Sequence, residues 1–204
     1  IMASSFLVLP LMAGLAAVAR PLVSLLLTDK WLPCVPFLQI CCIDFAFYPI
    51  HTANLQAINA MGRSDVFLKL EIIKKSYGIA ILCVTVFCFE GVLPIVWGAV
   101  VSTVISSFVN AFPNKKLIHY GYWEQIRDIL PPIVMSLTMF LAVSALGRLP
   151  LGNLPLLLVQ VAAGVVLYGG MSLLFKPESF RCLVQMAAAL RRKAAGQSKG
   201  GTEA

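Results

Sequence analysis

Six apolar stretches, each about as long as a bilayer core is thick and each closed by a short polar break, leave this chain few ways to fold. A hydrocarbon layer of about 30 Å takes roughly 20 apolar residues in helical form. Runs of that kind lie near residues 3–28, 35–61, 66–89, 92–113, 128–147 and 154–175. The breaks hold the expected punctuation, including Pro33 and Pro36, Gly62, Gly91 and Pro94, Pro113, and Pro150 to Pro155. With 59% hydrophobic residues, 12% charged residues and a mean hydropathy of +0.88, an ordinary soluble domain is excluded. The predicted fold class is all-α, a polytopic membrane bundle of about six helices over residues 1–176.

Lysine and arginine predict the orientation, because positive loops stay in the cytoplasm. Taking alternate connections, one side carries Arg63, Lys69, Lys74, Lys75, Lys115, Lys116, Arg127 and the basic residues from Lys176 onward, while the other has only Lys30 and Arg148. Both ends of the chain are therefore expected inside. From residue 177 to 204 a basic cytoplasmic tail is expected, with Phe180, Leu183, Val184 and Ala187 on one face of a short interfacial helix before a disordered end. The chain opens on Ile1 with no charged, cleavable leader ahead of its first apolar run, so it reads as part of a longer protein. Six cysteines without a CxxC pair or a nearby histidine read as packing residues, so no metal or cofactor is expected. The net charge of +7 lies in membrane-flanking positions, which gives no reason to expect nucleic acid.

Polar residues inside the spans carry the functional information, since a charge near the bilayer centre costs about 3 kcal/mol even on lenient scales. On a helix from Val35 to Met61, Asp44, Tyr48, His51 and Asn54 fall on one strip. That strip either lines a hydrated pathway, in which Asp44 and His51 could couple movement to protons, or holds the bundle together by hydrogen bonds. Gln56 and Asn59 lie nearer the surface and read as helix contacts. Arg20 interrupts the first span beside Pro21, and two roles compete: a cation for an anionic headgroup, or a snorkelling partner of Asp44. Gly98, Ser102, Ser106 and Asn110 recur at i+4 as a helix-packing face. Gln160, Gly164, Tyr168, Gly169 and Gly170 read as a second close contact. Gly62 closes the second span, Ser64 or Asp65 caps the third, Lys69, Lys74 and Lys75 reach for headgroups, and Glu71 stands i,i+4 from Lys75.

Four stretches, LPLMAGLAAVARPLVSLLLTDKW, VPFLQI, NLQAINAMGRSDVFLKLEIIKK and NAFPNKKLIHY, together resemble the C-terminal part of a Wzx-type polysaccharide flippase of the multidrug/oligosaccharidyl-lipid/polysaccharide exporter superfamily. The resemblance covers most of residues 3–148. It implies two MATE-like helical lobes around a central cavity, alternating between inward- and outward-open forms. It further implies an undecaprenyl-diphosphate-linked oligosaccharide as substrate, membrane lipids and an N-terminal lobe as partners, and the bacterial inner membrane as location. In related flippases a cationic cavity receives the diphosphate, and Arg20 is a candidate contributor to one here, though no family motif assigns it that role. A multidrug or other lipid exporter of the same fold is the alternative. A glycan polymerase or ligase fits less well, because the outer loops offer little beyond Asp29, Lys30, Glu90 and Arg148 for catalysis. A scaffold subunit is the third possibility, and no enzymatic activity is expected.

Overall fold

A computed structural model describes residues 1–117, 121–175 and 178–182. Most of the expected interfacial helix, and the basic end of the tail, lie outside the described residues. The described chain is all-helical: α1 (Met2–Ala17), α2 (Ala19–Leu27), a 3-10 helix (Asp29–Cys34), α3 (Val35–Ala46), α4 (Tyr48–Ala60), α5 (Ser64–Cys88), α6 (Leu93–Leu117), α7 (Tyr122–Leu146) and α8 (Asn153–Phe175). Residues 178–182 form a further helical turn.

Among the described residues, four segments are long and apolar enough to cross a membrane: Asp29–Ala60, Leu93–Asn114, Tyr122–Leu146 and Asn153–Phe175. The pair α1 and α2, bent by 66°, supplies a fifth if it is counted as one span. About six were expected. The difference is α5, which has the length of a span at 25 residues but carries Asp65, Lys69, Glu71, Lys74 and Lys75 in its first half. Exposed side chains agree with a lipid setting: Leu26, Phe87, Trp123, Val166 and Leu174 are all at least 70% exposed. Inside, the core is narrow, with Val18, Met139 and Val143 packed against Ala13, Leu157 and Met171. α1 packs most extensively on α7, and α5 on α6.

Prolines set the breaks. Pro21 has no N–H to offer the carbonyl of Ala17, and the first span turns at Val18 (φ −93°, ψ 5°). Likewise Pro49, in the first turn of α4, follows a break at Phe47, so the expected continuous helix from Val35 to Met61 is two helices joined by a turn. By contrast α1 runs through Pro10 and α7 through Pro131 and Pro132. Gly62 holds the α4–α5 turn at φ 68°, a left-handed conformation that a side chain would disfavour. Next to it, Arg63 Nε donates to Asp65 Oδ1 at 3.1 Å, and this hydrogen bond pulls the Asp65 carboxyl below the usual carboxylate range.

Three carbonyls freed by a proline, a helix break or a helix end find side-chain donors from distant helices. Phe6 O, which Pro10 cannot reach, accepts from the Tyr168 hydroxyl at 2.8 Å. Ala16 O, at the end of α1, accepts from Gln39 Nε2 at 3.1 Å. Val143 O, in the last turn of α7, accepts from Gln160 Nε2 at 3.0 Å. In hydrocarbon an unpaired backbone group costs several kcal/mol, so each bond fixes the helix that supplies it.

Two sets of neighbours lie around the helix connections. At one end, Asp29, Arg148 and Asn153 line a common cavity. At the other, Met2, Arg127 and Glu178 line another. The connections assigned to opposite faces by charge thus lie at opposite ends of the bundle.

Candidate functional site

Arg20 sits where the first span breaks, exposed to a polar cavity of about 650 Å³. Arg148, from the α7–α8 turn, lines the same space, together with Asp29, Gln39, Asn153 and Gln160. Asn153 Nδ2 donates to Ser24 Oγ at 2.7 Å, and the Ser24 hydroxyl donates to the Asp29 carboxylate, tying α8, α2 and the 3-10 helix into one rim. Arg20 is not paired with Asp44: the described ion pairs are Arg63–Asp65 and Lys74–Glu71.

The strip expected from Asp44 to Asn54 is interrupted by the turn at Phe47, with Asp44 on α3 and Tyr48, His51 and Asn54 on α4, and its members meet different surroundings. Asp44 is half-buried on α3, and its Oδ1 is shielded from solvent without a hydrogen-bond partner. Tyr48 is 61% exposed and points away from the interior. His51 turns onto α6: its Nε2 lies 3.1 Å from Thr103 O, and its Nδ1 lies 3.2 Å from Asn110 Nδ2. A carbonyl only accepts and an amide nitrogen only donates, so these partners select the neutral tautomer protonated at Nε2. Asn110 Oδ1 is left buried and unpartnered.

Asn54 joins neither Arg20 nor His51. It is 1% exposed, and its Nδ2 donates to Gln125 Oε1 at 2.9 Å while its Oδ1 accepts from Gln125 Nε2 at 3.1 Å and from Asn114 Nδ2 at 2.8 Å. Such a closed amide cluster is helix glue, and Asn54 is enclosed rather than lining a path. Gln125 and Asn114 were not singled out in the sequence. They are amides near helix ends, where exposure to headgroups is the default expectation.

The small-residue face of α6 packs where its spacing places it. A Cβ on Gly98 would come within 2.8 Å of Thr85 Cγ2, so α5 and α6 touch closely there. Ser102 lies against Gly78, Ser106 Oγ shares a hydrogen bond with the Tyr77 hydroxyl, and Asn110 serves His51. Between α4, α5 and α6 lies a cavity of about 390 Å³ lined by His51, Glu71, Lys74, Lys75, Ser102 and Ser106. Glu71 pairs with Lys74 at i,i+3 rather than with Lys75, and Lys74, only 13% exposed, turns into this cavity instead of toward headgroups. Groups of His, Cys, Asp or Glu arranged to hold a metal ion are absent among the described residues.

Together, the helical bundle and its spanning segments define a multi-span helical membrane protein. Residues 1–36 match the model of a family described as "Polysaccharide biosynthesis protein", and the matched segment contains the broken span and Arg20. That match supports a role in polysaccharide biosynthesis at a membrane. No curated protein and no solved structure matches the chain.

Proposed function

We propose that this chain is part of a flippase that moves an undecaprenyl-diphosphate-linked oligosaccharide across the bacterial inner membrane by alternating access. The observation that carries this reading is the guanidinium of Arg20 in a roomy polar cavity, at a helix break inside the segment that matches polysaccharide biosynthesis proteins. An arginine fork suits a diphosphate because it donates parallel hydrogen bonds to two oxygens. Half-helix ends beside a midspan break are also where transporters commonly hold charged cargo. This lobe rocks against a first lobe supplied by the rest of the protein, with the C-terminus cytoplasmic. No covalent bond changes, so the protein is not an enzyme on this reading.

Coupling to protons would run through His51 and Asp44. A proton on His51 Nδ1 turns that atom from acceptor to donor, and the unpartnered Asn110 Oδ1 offers an acceptor once the amide rotates. Lys74, Glu71 and Asp44 are the charged groups that act on the ring.

The test is complementation of cells lacking the gene. Arg20→Ala is expected to lower surface glycan about tenfold or more, the equivalent of one charge-assisted hydrogen bond, with protein level and drug resistance unchanged. Loss of drug resistance with intact glycan would favour the multidrug exporter. Normal export by both Asp44→Asn and His51→Ala removes the coupling role.

A further inference from the structure

Asn110 and Asn114 of α6 are both 0% exposed, and each has an Oδ1 with no donor among the described residues. Turning the amides over helps neither. Asn114 Nδ2 donates to Asn54 O at 3.2 Å and to Asn54 Oδ1 at 2.8 Å, so its oxygen must face the other way. Asn110 Nδ2 donates to His51 Nδ1 at 3.2 Å, and that atom is an acceptor because Nε2 keeps its proton for Thr103 O. A buried acceptor without a donor is unfavourable, and two on one helix call for a common donor.

The two residues stand one turn apart. Side chains at i and i+4 share a helix face with about 5–6 Å between Cβ atoms, and one small molecule making two hydrogen bonds of about 2.8 Å spans two such oxygens. Pro113 lies between them and has no N–H for Val109 O, so the backbone ladder is open at this turn, where ordered water can enter. The occupant must supply two hydrogens inside an enclosed site. A side chain from outside does not reach residues that are fully buried, and a hard cation takes about six or more oxygens where two are free. Water meets both demands.

We propose that one buried water sits between Asn110 and Asn114 and donates to both side-chain oxygens. It closes the gap in a hydrogen-bonded chain that runs from Thr103 O through His51, Asn110, the water, Asn114 and Asn54 to Gln125, joining α6, α4 and α7. Water also accepts. When a proton arrives on His51 Nδ1 and the Asn110 amide rotates, Asn110 Nδ2 donates to the water, which still donates to Asn114, so neither oxygen is orphaned. The charged groups acting on His51 are Asp44 of α3 and Glu71 and Lys74 of α5, with Lys75 lining the same cavity. The α6 groups that His51 meets, Thr103, Ser107 and Asn110, do not titrate. The water site stands by itself, and only its part in proton coupling rests on the proposed function.

The experiment is solid-state NMR of the full-length protein in phosphatidylcholine bilayers, with nitrogen-labelled side-chain amides and magnetisation passed from water protons. Transfer at short mixing time is expected to the Asn110 and Asn114 amides and not to the Ile58 methyls, which are equally buried. Asn110→Leu should cut transfer at Asn114 about fivefold or more, the loss of one of two anchoring hydrogen bonds, while the Asn54–Gln125 resonances stay in place. Absence of transfer to either amide in the unsubstituted protein overturns the site, and that result needs no variant to fold. Transfer at Asn114 that survives Asn110→Leu overturns the bridge. Resonances that move when choline replaces sodium and potassium assign the site to a cation and overturn the water. Through the titration of His51 the Asn114 and Gln125 amides should shift with the ring, and amides that stay put overturn the chain. Glycan export enters none of these readouts, so Arg20-independent export would remove the flippase reading and leave the water in place.

Discussion

Replacing Tyr168 by Phe tests whether a distant hydroxyl substitutes for the backbone donor that Pro10 lacks. In a regular helix Phe6 O would accept from the N–H of residue 10. Here it accepts from Tyr168 Oη at 2.8 Å. Removing the hydroxyl leaves that carbonyl without a hydrogen bond while changing almost nothing else in the packing of the ring against Phe6, at 5.1 Å between centroids. Interhelical hydrogen bonds in membranes contribute about 0.6–2 kcal/mol, and orphaning a buried acceptor about 1–3 kcal/mol, so the expected loss is about 1–2 kcal/mol. That corresponds to a fivefold to thirtyfold shift toward the unfolded state, roughly. The discriminating step is to repeat Tyr168→Phe in a Pro10→Ala background, where the substituted residue supplies its own N–H to Phe6 O. There the cost should fall below about 0.5 kcal/mol. Reversible unfolding in mixed micelles measures all four corners of the cycle. Equal costs in the two backgrounds would refute the substitution argument.

Other consequences can be checked with the same preparation. The reciprocal amide bonds of Asn54 and Gln125 predict a coupling energy of about 1–2 kcal/mol in an Asn54→Ala, Gln125→Ala cycle, and simple additivity would contradict it. Gly98→Val should destabilise by about 1–3 kcal/mol, since Thr85 and Ile81 already occupy the space, whereas Gly169→Ala should be neutral or stabilising. Nitrogen chemical shifts of labelled His51 should report one neutral tautomer protonated at Nε2, and a spectrum with the proton on Nδ1 would overturn the arrangement with Thr103 and Asn110. Cysteines placed at Gly62 and Leu149 should react with impermeant thiol reagents from opposite faces of the membrane, and reaction of both from the same face would overturn that placement.

The class of fold was legible because spanning length and apolar content are properties of single segments. Ser102 and Ser106 were readable for a related reason: a small residue every fourth position marks one face of one helix wherever that helix goes. Pro49 was the point of failure for the strip from Asp44 to Asn54. Its local effect, a turn at Phe47, separates Asp44 on α3 from Tyr48, His51 and Asn54 on α4, and the groups that His51 and Asn54 meet lie on other helices, which local periodicity does not reveal. Gln39 and Gln125 were hidden for another reason. Each earns its position by meeting a group on another helix, and a partner many residues distant leaves no mark on local spacing. Glu71 had two lysines within reach, and the choice of Lys74 depends on the cavity beside His51 rather than on the helix itself.

Three helices meet at the amide cluster: α4 at its middle, about two turns before the Asp29–Ala60 span ends, α6 near its last turn and α7 at its first. A rivet through three rods at one end decides where they can splay, because relative tilt about a fixed point grows with distance from it. The far ends therefore have the greater swing. They are the ends nearest the elbow at Val18 and the arginine-lined chamber, so the part of the bundle most free to widen is also the part that holds the proposed cargo site.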